Sequence, residues 1–117
     1  DIMLKFLHYQ NQIKIYHWQT NSFARHKAAD ELYHTLVDKV DEFMEVIQGS
    51  RDKRAKLSKV KMIPCQNISD NGSVRMLKSF RKWILSLEFK KNESDLINIR
   101  DEIVASINKT LYLFTLQ

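Results

Sequence analysis

The stretch from His17 to Glu45, HWQTNSFARHKAADELYHTLVDKVDEFME, gathers three of the chain's four His with six of its fourteen Asp and Glu. On a helical wheel at about 100° per residue, His26, Asp30, Asp41, His34, Glu45 and Asp38 fall within an arc of roughly 120°. Leu32, Leu36, Val40, Phe43 and Ile47 occupy the opposite side, at roughly 200° to 280° from Asp30. Imidazole nitrogens and carboxylate oxygens together are the ligand set of iron and zinc sites. An ordinary amphipathic helix also carries such an arc as its wet face. The pattern alone therefore leaves both readings open, with the wet face the commoner of the two.

The rest of the sequence must position that arc. The chain has 117 residues, a length that suits one domain spanning 1–117. Only two Gly and one Pro occur, too little turn chemistry for a hairpin-rich fold. With 44% hydrophobic residues and a single Cys, disordered, collagen-like and disulfide-scaffold classes are excluded. An all-α domain remains, and four segments have helical spacing. The first, about 2–20, places Phe6, Leu7, Ile13, Tyr16 and Trp18 inward, and Asn21 or Ser22 follows as an end or a cap. The second, about 24–48, repeats Leu32, Leu36, Val40, Phe43 and Ile47, with Gly49 placed as a C-cap glycine. The third, about 73–90, turns Val74, Leu77, Ile84 and Leu87 to one side. The fourth, about 94–115, does the same with Leu96, Ile99, Ile103, Ile107, Leu111 and Phe114, starting at Ser94-Asp95. Residues 50–72 form a long connection with a short helical stretch around 51–60, a stop at Ile63-Pro64, and a capping loop from Ser69 to Ser73. Such a connection suits a bundle with one crossover between distant helix ends.

Helix rise limits what the arc can do. Asp30 and Asp41 are eleven residues apart, about 16 Å along a helix at 1.5 Å per residue. They cannot share one ion within one chain. A site using both needs an antiparallel partner helix, which a twofold dimer supplies. The arc thus predicts an intersubunit site or none. An intrachain alternative, Glu31-x-x-His34, matches the Glu-x-x-His of di-iron carboxylate bundles. That design needs the motif on two helices, and the third and fourth segments contain no His, so exposed helix positions are the better reading of this pair.

The run Lys14-x-x-His17-Trp18 followed by His26, Asp30, Asp41 and Glu45 resembles the ferroxidase signature of the Dps mini-ferritins. In that family a His-Trp pair on the first helix opens the motif. A second His starts the second helix, an Asp follows four residues on, and an Asp-x-x-x-Glu lies fifteen and nineteen residues after that His. Positions 26, 30, 41 and 45 keep those intervals. The match covers roughly residues 5–49, and the helix order extends it loosely to the whole chain. The resemblance implies a ferritin-like four-helix bundle with a long connection between its second and third helices. It also implies an iron site across a twofold axis, with His17, His26 and Asp30 from one subunit and Asp41 and Glu45 from its mate. Ferroxidase activity is implied in the same way, oxidising Fe²⁺ with peroxide or O₂, in a dimer or a larger assembly up to a dodecamer. Tyr33 or Trp18 would be a nearby electron source, though core packing is the commoner role for both. The chain departs from the family in three ways. The interval from His17 to His26 is shorter than usual, which would displace one of them; the whole chain is shorter; and the segment after the second helix is more basic. A trimmed branch of viral or phage type fits these departures.

That basic segment, residues 51–61, holds Arg51, Lys53, Arg54, Lys56, Lys59 and Lys61 against the single acid Asp52. It accounts for the whole net charge of +5. Such a run suits phosphates or acidic surfaces, and so nucleic acid, although it has no aromatic residue for base stacking. No apolar run approaches the ~18 residues of a membrane span, and the first twenty residues carry no signal-like apolar core. Cys65 reads as a structural thiol of a reducing compartment. These features point to the cytoplasm or the inside of a virion, not to secretion. A Dps-like iron-binding protein is thus the leading expectation. A non-catalytic structural or interaction protein on the same fold, virion- or nucleic-acid-associated, is the second.

Overall fold

A computed structural model describes residues 1–58 and 63–116 of the chain. Lys59 and Lys61 of the basic segment lie outside the described residues. The described chain is all-helical, in the order α1 (Ile2–Gln19), α2 (Phe23–Ser50), α3 (Asp70–Leu85) and α4 (Ser94–Leu113). Helix α2 packs along both α1 and α4, while α3 lies against α4 and touches α1. The result is an elongated four-helix body of 45 × 29 × 20 Å.

The core is the one the periodicity describes, with two aromatic additions. Leu32, Leu36, Val40, Phe43 and Ile47 of α2 are all buried, as are Leu96, Ile99, Ile103 and Ile107 of α4. Phe6 of α1 meets Phe43 edge-on at 5.4 Å and Phe80 at 6.3 Å between ring centroids. Trp83 closes the group 5.0 Å from Phe6. Edge-to-face rings add to what area burial alone contributes. Leu7 and Trp18, expected inward, are instead 50% and 69% exposed.

Helix ends depart from the sequence reading for local reasons. Gly49 does not end α2: the helix runs through it to Ser50. The left-handed position that ends the segment is Asp52, at φ 49°, a residue type that tolerates αL because its short side chain can bond locally. The expected helical stretch at 51–60 is absent over 53–58, where the described backbone is extended or irregular. Helix α3 starts before Ser73 because Ser69 caps it, accepting from the Gly72 N–H at 3.0 Å. It stops at Leu85, so residues 86–90 are not helical, and the Ser86 N–H and hydroxyl both turn back to the Trp83 carbonyl.

Two polar fastenings hold the ends of the body. At one, Tyr16 Oη donates to Asp70 Oδ1 at 2.6 Å, joined by Thr20 Oγ1 at 3.0 Å. Arg25 then donates to Tyr16 Oη, to the Asp70 carbonyl and to the Phe114 carbonyl, at 3.1, 3.2 and 3.1 Å. The Tyr16 hydrogen bond, helped by Thr20 and by the Arg25 charge, holds the Asp70 carboxyl below its usual range. This cluster fixes the turn between α1 and α2 against α3 and α4. At the other end, Arg51 grips Glu93 with two nitrogens, at 2.9 and 3.1 Å, tying the end of α2 to the start of α4.

Candidate metal centre

The tight turn Thr20-Asn21-Ser22 brings the end of α1 beside the start of α2. Ser22 caps α2 by accepting from the Arg25 N–H at 3.2 Å. His17 sits in the last turn of α1 and His26 in the first turn of α2, and the short turn lays their rings one on the other, with centroids 3.8 Å apart and planes 19° from parallel. The interval of nine residues therefore brings the two imidazoles together.

Their hydrogen bonds are reciprocal. His17 Nδ1 lies 2.7 Å from the His26 carbonyl oxygen, and His26 Nδ1 lies 2.7 Å from the His17 carbonyl oxygen. A carbonyl oxygen only accepts, so both Nδ1 atoms carry the proton. In the neutral imidazoles each Nε2 then keeps a lone pair free for a ligand. A backbone carbonyl on Nδ1 is the arrangement that orients metal-binding His and raises its basicity. The last turn of a helix has carbonyls without intrahelical partners, and His26 uses the one that His17 offers.

Asp30, one turn beyond His26, faces the same place. Its Oδ1 lies 3.7 Å from His17 Nε2, 3.4 Å from His34 Nε2 and 3.6 Å from Lys14 Nζ. At 3.7 Å the His17 contact is too long for a hydrogen bond. A bare Nε2 and a carboxylate oxygen are both electron-pair donors, and such a pair is stabilised by a cation beside it. Here the Lys14 ammonium supplies that charge, itself resting 4.7 Å from the Tyr33 ring centroid and 5.6 Å from that of Trp18. His17 is buried, His26 and Asp30 are half-buried and His34 is exposed.

The second half of the expected site stands apart. Asp41 and Glu45 are exposed on α2, and neither makes an ion pair or side-chain hydrogen bond among the described residues. Asp41 and Asp38 stand on a groove of about 380 Å³ between α1 and α2, floored by Met3, Leu7, Val37 and Met44. One chain thus brings His17, His26 and Asp30 together and leaves Asp41 and Glu45 remote from them. Among the described residues, no three His, Cys, Asp or Glu side chains of one chain converge closely enough to hold a metal ion.

The other candidates separate as well. Glu31 and His34 do not act as a pair, since Glu31 turns to Lys109 of α4 at 3.1 Å while His34 turns to Asp30. His34 is the residue that sequence reasoning undervalued; its four-residue interval from Asp30 was the available signal. Trp18 is turned to solvent, and Tyr33 is half-buried against the core. Cys65 is exposed, with its sulfur 4.0 Å from His8 Nδ1. Of the basic segment, Arg51 is committed to Glu93, whereas Lys53, Arg54 and Lys56 are exposed. No helix of the described residues is long and apolar enough to cross a membrane.

Residues 17–114, most of the chain, match the model of a family of unknown function (DUF5856). No curated protein and no solved structure matches the chain.

Proposed function

The chain belongs to the DUF5856 family, and for it we propose iron binding and oxidation at a site shared between two subunits of a Dps-like, ferritin-like bundle. The observation that carries this reading is the stacked His pair with both Nδ1 atoms held by carbonyls. That arrangement spends each imidazole's proton on the backbone and leaves each Nε2 lone pair free, with the Asp30 carboxylate 3.7 Å from that of His17.

The donor set fits iron. Two neutral nitrogens and carboxylate oxygens, with solvent able to reach half-buried Asp30, leave coordination positions for an oxidant, unlike a closed structural zinc site. Asp41 and Glu45 carry uncommitted carboxylates on the same helix, too far along it to join their own chain's His pair. An antiparallel copy related by a twofold axis would bring them to the other subunit's His17, His26 and Asp30. It would also cover the exposed apolar side chains Leu7 and Val37 in the groove between α1 and α2. In this reading Fe²⁺ is the substrate: each ion yields one electron, and a peroxide accepts two with two protons to leave two waters. His17 and His26 would offer Nε2 to the ion and Asp30 would neutralise its charge, in place of the Lys14 ammonium that neutralises Asp30 here.

An anaerobic Fe²⁺ titration followed by peroxide tests the proposal, with ferric absorbance and light-scattering mass followed together. Saturation at one or two irons per chain, with rapid oxidation in a dimer or larger species, is the expected result. Absence of saturable binding would leave the bundle as a structural or interaction protein and would overturn the reading.

A further inference from the structure

The basic segment is more than a run of charge. Residues 53–58 cross the open end of the body between the start of α1 and the end of α2, and they are fastened there. The Lys53 N–H reaches the Gln48 carbonyl at 3.2 Å. The Gln48 side chain donates to the Met44 carbonyl at 2.9 Å and accepts from the Ala55 N–H at 3.0 Å. Farther on, the Ser58 N–H donates to Asp1 Oδ2 at 2.9 Å. Between this strap and the helices lies a cavity of about 720 Å³, within the usual size range of small-molecule sites.

The lining has two chemistries. Ile2, Met44 and Ile47 make an apolar floor, and Lys53, Arg54 and Lys56 stand along the strap above it. Arg51 also reaches the cavity, but its charge is matched by Glu93. The other three cations make no ion pair among the described residues, and no described carboxylate lines the cavity. Three unmatched positive charges over an apolar floor complement a molecule with a negative head and a hydrocarbon tail. A nucleic-acid backbone would satisfy the cations and leave the floor unused, and no aromatic side chain is present in the lining to stack a base.

We propose that this cavity binds a single-chain anionic amphiphile of the fatty-acid class, its tail over Ile2, Met44 and Ile47 and its carboxylate among Lys53, Arg54 and Lys56. The inference does not depend on the cluster of His17, His26 and Asp30, which lies toward the opposite end of α2.

Calorimetric titration of the full chain with octanoate, decanoate and decyltrimethylammonium, each below its micelle threshold, tests it, with a twenty-nucleotide single strand run in parallel. Decanoate is expected to saturate at one per chain and to bind roughly tenfold tighter than octanoate, because each buried methylene adds to affinity. The cationic decyl compound should bind at least tenfold more weakly. A K53Q/R54Q/K56Q variant, helical by circular dichroism, should lose tenfold or more in decanoate affinity. An Ile2→Ser variant should narrow the gap between decanoate and octanoate. Equal binding of the two acids, or wild-type decanoate affinity in the triple variant, would overturn the proposal. So would saturable binding of the oligonucleotide without binding of decanoate, which would make the strap a phosphate-binding surface.

Discussion

The chemistry of this chain turns on which nitrogen of each imidazole is free. His17 and His26 each give the Nδ1 proton to the other's backbone. Replacing His26 with Ala removes one bare Nε2 and one of the two cross-turn hydrogen bonds. Its Fe²⁺ affinity is expected to fall at least tenfold, with a stability loss of about 1 kcal/mol for the lost bond, measurable by titration and by urea unfolding. Lys14→Met is expected to act in the opposite direction. It removes the ammonium 3.6 Å from Asp30 that competes with an incoming cation, so Fe²⁺ affinity should rise while the helical spectrum stays unchanged. The four-residue intervals that bring Asp30 within reach of His34 and one turn from His26 were legible in the sequence, because such intervals survive as helix geometry. The reciprocal hydrogen bonds were not, because they depend on the depth of a three-residue turn. Nor was the outward aim of Trp18, whose spacing on α1 is compatible with either face.

At the scale of elements, the helices follow their apolar repeats and their ends follow single side chains. The α2 repeat was readable because five buried residues share one stripe. Its end was not, since Gly49 accepts a helical conformation and Asp52 takes the left-handed position. The start of α3 depended on which Ser of the Ser69–Ser73 loop supplied the cap. Helices α2 and α4 pack through apolar side chains, but the tie between the end of α2 and the start of α4 is an ion pair and therefore pH-dependent. Hydrogen bonds from Arg51, and then from the Lys90 N–H, hold the Glu93 carboxyl at about 2, below its ordinary 4.5. A depressed carboxyl pKa stabilises the fold fully above the unfolded value, and the contribution disappears as pH falls through the folded one. Unfolding midpoints are therefore expected to drop between about pH 4.5 and 2, and Glu93→Gln should be less stable at neutral pH and flatter across that window. Urea unfolding at stepped pH reads both effects.

For the whole molecule, the interior that holds the fold and the face proposed for assembly are different. The interior rests on Phe6, Phe43 and Phe80, each fully buried at the crossing of three helices. Truncating Phe43 to Ala is expected to cost about 3–5 kcal/mol, a large share of the roughly 5–15 kcal/mol that holds a domain of this kind. Thermal unfolding would show it as a strongly lowered midpoint. The outer face of α1 and α2 is a different matter. Leu7 at 50% and Val37 at 38% exposure, beside the groove that carries Asp41, keep much of their apolar surface outside the interior. The paired substitution Leu7→Glu and Val37→Glu is expected to leave helicity intact while light scattering shows monomers and Fe²⁺ binding is lost. Helix rise sets Asp30 and Asp41 about 16 Å apart on one helix, which is why the proposed site calls for a second copy.

The most direct test is complementation between two defective chains. One carries His17→Ala and His26→Ala, and the other carries Asp41→Ala and Glu45→Ala; each alone should bind no Fe²⁺ saturably. Co-expressed with different tags and purified as the mixed species, they form a twofold pair in which one site has both defects and the other has neither. Fe²⁺ titration of that mixed species should recover about half of the wild-type sites. Binding retained by the Asp41 and Glu45 variant alone, or no recovery in the mixed species, would contradict a shared site.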